Sequence, residues 1–166
     1  MKKTLFTLGL AIALALSIGA MTAFAAPADV ATEAELVAAL ADPSVDVINI
    51  TADIEISARL NVTRAMTING GSNTITVVAD LGTDNSKKQA LAILAEDVTV
   101  NDLTIDSASL AAGATVYNGE ATFNNVSLLN SKNAALIVNG STVTVVGLKT
   151  SGSAWGAVNV DPGAGV

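Results

Sequence analysis

Asp80, Asp84, Asn85, Lys87 and Lys88 gather in the segment from Ala79 to Gln89, the longest stretch with neither helical nor strand periodicity. They form the leading candidate for a binding loop, since recognition residues concentrate on such connections. Asp80, Asp84 and Asn85 could offer oxygens to calcium. Their spacing, however, is not that of an Asp-x-Asp-x-Asp-Gly loop, and three oxygens fall short of the about six to eight that calcium takes. Trp155 and Tyr117 are the candidate glycan contacts, because sugars pack on exposed aromatic faces. Phe123 falls on a strand and is expected in the core. Asp97, Asp102, Asp106 and Glu120 remain as acids on repeating turns, with Lys132 and Lys149 as basic partners. Glu96-Asp97 with Glu120 is the nearest approach to a carboxylate pair for glycoside hydrolysis, and a solvated acidic corner is the simpler reading. Cysteine and histidine are absent, which removes thiol and imidazole nucleophiles, the Ser-His-Asp triad and ordinary zinc sites. No catalytic residue is assigned and no cofactor is expected, calcium at the loop being the one metal to consider.

These residues follow an export segment. Met1-Lys2-Lys3, the apolar run from Leu5 to Ile18 and Ala23-Phe24-Ala25 read as a signal peptide over residues 1–25, cleaved after Ala25. The protein is therefore expected to be secreted, extracellular or held at the cell surface, with no membrane span once the segment is removed. Loss of Lys2 and Lys3 leaves six cations against 15 carboxylates, a net charge of −9. Nucleic acid and anionic membrane are unsuitable partners for so acidic a chain. About 140 residues remain, enough for one domain with one continuous core.

The positioning elements begin with a helix over Glu33 to Ala41. Thr32 and Glu35 make a capping box ahead of Leu36, Val37 and Leu40, and Asp42-Pro43 ends it. Short Val-, Ile- and Thr-rich runs separated by Asn, Gly, Asp and Ser then read as strands. They repeat. The segment from Leu94 aligns with those from Tyr117 and Asn139, so that Leu103, Val126 and Leu148 fall at equivalent places, 23 and 22 residues apart, and Val138 steps likewise to Val160. Three short strands and three corners in about 22 residues make one coil of a parallel β-helix. Asn101 and Asn124 are equivalent and are expected to stack as an amide ladder, which Val146 interrupts.

The opening TEAELVAALADPSVDVINITADI, the following LNVTRAMTINGG and the later DVTVNDLTIDSA resemble the pectate-lyase-like right-handed parallel β-helix proteins of secreted bacterial type. The resemblance covers about Val30 to Val166. It implies an all-β solenoid with a short N-terminal capping helix: a cap region over residues 26–44 and coils over 45–166, which are expected to continue in a longer protein. It also raises polysaccharide lyase chemistry, with acids holding calcium against substrate carboxylates and a base removing a proton. No coil places two carboxylates and a basic residue together at matching strand positions. A structural, adhesive or glycan-contacting role, with polysaccharide or cell-surface components as partners, is therefore expected ahead of a lyase or hydrolase fragment. A module associating end to end through an open coil is the third reading.

Overall fold

Side chains that alternate apolar and polar along short strands can bury one face of each strand while its backbone pairs with the coils before and after it. The computed structural model describes residues 26–82 and 88–162. The expected signal segment, Asp84, Asn85 and Lys87 of the candidate loop, and residues 163–166 lie outside the described residues. A first strand, β1 (Ala28–Val30), leads into α1 (Glu33–Ala41). Five three-stranded coils follow: β2 (Val47–Ile50), β3 (Ile54–Ile56) and β4 (Leu60–Val62); then β5 (Met66–Asn69), β6 (Thr74–Val77) and β7 (Gln89–Ile93); then β8 (Val98–Asn101), β9 (Thr104–Asp106) and β10 (Ala112–Tyr117). The last two are β11 (Glu120–Asn124), β12 (Ser127–Leu129) and β13 (Ala134–Asn139), and β14 (Thr142–Val146), β15 (Lys149–Ser151) and β16 (Gly156–Asp161).

The chain is thus an all-β parallel solenoid with one short helix near its N-terminus. Its first sheet runs β1-β2-β5-β8-β11-β14, its second β3-β6-β9-β12-β15 and its third β4-β7-β10-β13-β16. β1 and β15 carry no composition that marks them as strands; pairing with the neighbouring coil extends them. The register follows the sequence period. Ser127 pairs with both Thr104 and Lys149, and Val138 pairs with Val160. Down the first sheet Ile48 meets Ile68, Val100, Phe123 and Val145 in turn, at steps of 20, 32, 23 and 22 residues. The long step is absorbed between β6 and β7, at the corner from the second sheet to the third.

Inward columns such as Leu60, Leu91, Ala114 and Leu136 are fully buried, and Phe123 is the largest fully buried side chain. The same columns continue to Val158 and Val160 on β16, which are exposed. A further coil laid on that edge, from this chain or a second copy, would cover them.

Leu36, Ala39 and Leu40 turn α1 inward over the first coil, while Val37 faces solvent. The capping box forms as its spacing predicts: the Glu35 N–H donates to Thr32 Oγ1 (3.3 Å), and the Ala31 N–H donates to Glu35 Oε2 (2.9 Å). Glu33 accepts from the Ser57 and Ala58 N–H groups, and Arg64 donates to the Ala39 and Asp42 carbonyls, so both ends of the helix are latched to coils. The Ala31 N–H, then the Thr32 hydroxyl, hold the Glu35 carboxyl below its ordinary value of 4.5. The Ser44 hydroxyl and N–H lower Asp42 in the same way. A carboxyl depressed in the folded state adds stability that is complete above its unfolded value and is lost as pH falls through the folded one. The melting temperature should therefore decline on acidification below about pH 4.5. Glu35→Gln should decline less, as followed by circular dichroism, and equal acid sensitivity would contradict this role.

The amide ladder is longer than the two rungs its repeat shows. Asn124 Nδ2 donates to Asn101 Oδ1 (2.9 Å), Asn101 to Asn69 (3.0 Å), Asn69 to Asn49 (2.9 Å) and Asn49 to the Asp29 carboxylate (2.9 Å). Val146 occupies the next rung.

Candidate functional site

Outward-facing positions differ among the three sheets. The first presents Thr67, Thr99, Thr122 and Thr144 in register, and the second Thr74, Thr104, Ser127 and Lys149. Both are polar surfaces that water can solvate. The third instead presents Ala92, Thr115, Ile137 and Asn159, a floor of alternating apolar and polar side chains. Along one side stand Leu94, Tyr117 and Asn139, at the ends of β7, β10 and β13. On the other stand Arg59, Lys88, Asn133 and Trp155, the residues immediately before β4, β7, β13 and β16. Register sets Lys88, Asn133 and Trp155 at one position of successive coils, which Ala111 occupies on the coil between the first two, and sets Arg59 two residues further along, opposite Ala90. Floor and rims line a groove of about 620 Å³. A smaller hollow of about 210 Å³, lined also by Gly82 and Lys132, shares Lys88, Asn133 and Trp155 with it.

Tyr117 is 46% exposed and Trp155 81% exposed, and they lie on opposite rims of this groove. Thr115 lies in the floor, 7% exposed, and its hydroxyl has no hydrogen-bond partner among the described residues. The sequence singles out the two aromatic residues. It gives no sign of Arg59, Thr115, Asn133 or Asn159. The coil period would have found part of that rim, since Lys88, Asn133 and Trp155 fall at one coil position, although Ala111 holds that position, buried, on the coil of β10.

The candidate loop divides. Lys88 belongs to the groove, whereas Asp80 turns to the corner before β13, its Oδ1 accepting from Lys132 Nζ (3.2 Å) and the Gly82 N–H (2.8 Å). Those two donors, the Gly82 N–H foremost, hold the Asp80 carboxyl below its ordinary range. Two of the acids weighed for catalysis have other employment. Asp102 accepts from Asn125 Nδ2 (3.1 Å), and Asp106 from Asn130 Nδ2 (2.9 Å) and the Ala108 N–H (2.9 Å), fastening one corner to the next. Asp97 and Glu120 flank paired residues Val98 and Ala121 on successive coils. Among the described residues no three of His, Cys, Asp and Glu gather where they could hold a metal ion, and no helix is long and apolar enough to cross a membrane.

This arrangement offers aromatic faces, amides, a hydroxyl and two cations on a rigid sheet, a surface suited to holding an extended polar ligand. Residues 27–153 match the family model of a pectate lyase-like adhesive domain. No curated protein and no solved structure matches the chain.

Proposed function

Because the chain belongs to the pectate lyase-like adhesive domain family, we propose that it is an adhesive β-helix of the cell surface or extracellular space that holds glycan on the outer face of its third sheet. The observation that carries this reading is the placing of Tyr117 and Trp155 on opposite rims of one groove over a floor of mixed apolar and polar side chains. Sugar rings present C–H faces that pack on aromatic rings, and their hydroxyls need amide and hydroxyl partners of the kind Asn133, Asn139 and Asn159 supply. The role is binding rather than turnover. Asp102 and Asp106 serve corner hydrogen bonds and Lys132 pairs with Asp80, and among the described residues no carboxylate stands beside Arg59 and Lys88 in the groove.

Trp155 is the sole tryptophan, so its fluorescence reports on the groove directly. Titration with cell-wall oligosaccharides should change that emission saturably, and Tyr117→Ala should weaken binding about tenfold, as the loss of one stacked ring implies. Undiminished binding by a Tyr117→Ala, Trp155→Ala double variant, which lacks tryptophan and is therefore followed by titration calorimetry, would place the adhesive surface elsewhere.

A further inference from the structure

We propose that Asn118 is the site of a spontaneous modification, deamidation through a cyclic imide, at the corner between β10 and β11. The sequence holds three Asn-Gly pairs: Asn69-Gly70, Asn118-Gly119 and Asn139-Gly140. Each has the parts the reaction needs, a side-chain amide carbon and a following nitrogen that no Cβ screens. The Gly119 nitrogen attacks Asn118 Cγ and gives up its proton; the N–Cγ bond forms, the Cγ–Nδ2 bond breaks, and Nδ2 leaves as ammonia. Water then opens the five-membered imide at either carbonyl. One opening gives aspartate, the other isoaspartate, whose main chain runs through Cγ.

Ring closure must turn the peptide between the two residues, so whatever holds that peptide or the amide opposes it. At Asn69 the amide is a ladder rung, donating to Asn49 (2.9 Å) and accepting from Asn101 (3.0 Å), and the Gly70 N–H donates to the Asn101 carbonyl (2.7 Å). At Asn139 the peptide is held on both sides. The Gly140 N–H donates to the Asp161 carbonyl (3.0 Å), and the Asn139 carbonyl accepts from the Asn118 N–H (3.0 Å) and the Ser141 hydroxyl (2.8 Å). Asn118 is exposed, and among the described residues its amide has no hydrogen-bond partner. Its peptide with Gly119 is held by one bond, from the Gly119 N–H to Ser141 Oγ (3.2 Å). The glycine is not optional: a Cβ at position 119 would stand 2.3 Å from the Ala95 carbonyl oxygen. The close pass of this corner over the preceding coil thus requires the residue that makes Asn118 susceptible. Tyr117 pairs with Asn139 on one side of the corner and Glu120 with Thr142 on the other. Isoaspartate adds a main-chain carbon between those two registers, and either product sets a carboxylate next to Tyr117.

The test holds the folded protein in mildly alkaline buffer and samples it over time. Trypsin then places each pair in its own peptide, residues 65–87, 89–132 and 133–149. Mass spectrometry should find conversion of amide to acid at Asn118 at least about tenfold faster than at Asn69 or Asn139, the ratio set by the additional hydrogen bonds those two must break. In urea the three rates should converge. Equal rates in the folded protein, or Asn69 or Asn139 reacting first, would overturn the assignment. So would a folded protein in which Asn118 stays intact for as long as the unfolded chain takes to convert.

Discussion

Phe123→Ala is expected to lower the free energy of unfolding by about 3–5 kcal/mol, the range for removing a fully buried aromatic ring. Phe123 is 0% exposed and lies on β11 between Val100 and Val145 in the first sheet. Its backbone is paired on both sides, to β8 and β14, so the coils cannot close over the cavity without breaking ladders that hold their spacing. That constraint puts the change in the upper part of the range. Phe123→Leu retains most of the volume and should cost much less. Urea unfolding followed by circular dichroism reads both, and a loss below about 1 kcal/mol for the alanine variant would show that the core can collapse there.

Asn101→Val should cost about 2–4 kcal/mol, and Asn124→Val about half as much, because a mid-ladder rung serves two neighbours and an end rung serves one. Removing Asn101 deprives Asn69 Oδ1 of its donor and Asn124 Nδ2 of its acceptor; removing Asn124 affects only Asn101 Oδ1. Asp29 sets the direction. A carboxylate can only accept, so the Asn49 amide must point its nitrogen toward Asp29, and each later amide inherits that orientation. Val146 on the following coil shows that an apolar side chain is accommodated once the ladder ends. If Asn124→Val proved the costlier of the two under the same urea assay, this order of dependence would be wrong.

These two effects bear on adhesion through geometry. The groove has no hinge: its floor is β7, β10, β13 and β16, and its rims are the residues at their ends. The distance from Lys88 to Trp155 is therefore a number of coil rises, and whatever keeps the coils in register keeps the groove's side chains in place. The amide ladder on the first sheet and the packing around Phe123 serve the third sheet in this way.

Much of the architecture is written locally. A capping box needs only Thr32 and Glu35 three residues apart, and it forms. Parallel coils place side chains one period apart on top of each other, so the 23- and 22-residue steps determine that Val126 lies between Leu103 and Leu148, that Asn124 stacks on Asn101 and that Phe123 turns inward. Three-residue strands such as β1 and β15 escape such reading because their partners in the next coil, rather than their own composition, hold them extended. The irregular period of the first coils, with steps of 20 and 32 residues, likewise hides Asn49 and Asn69 from a search at a constant interval.

The candidate site divides in the same manner. Exposed aromatic residues in an otherwise aromatic-poor chain mark Tyr117 and Trp155 from the sequence alone. Composition could not show that they face each other across one groove, nor that Lys88 joins them while Asp80, eight residues earlier, turns to Lys132. Nothing local connects Arg59 with Trp155, which are 96 residues apart. Both line the groove because each lies beside a strand of the third sheet, and only the closed path of the coil brings that sheet back to the same side of the protein every turn.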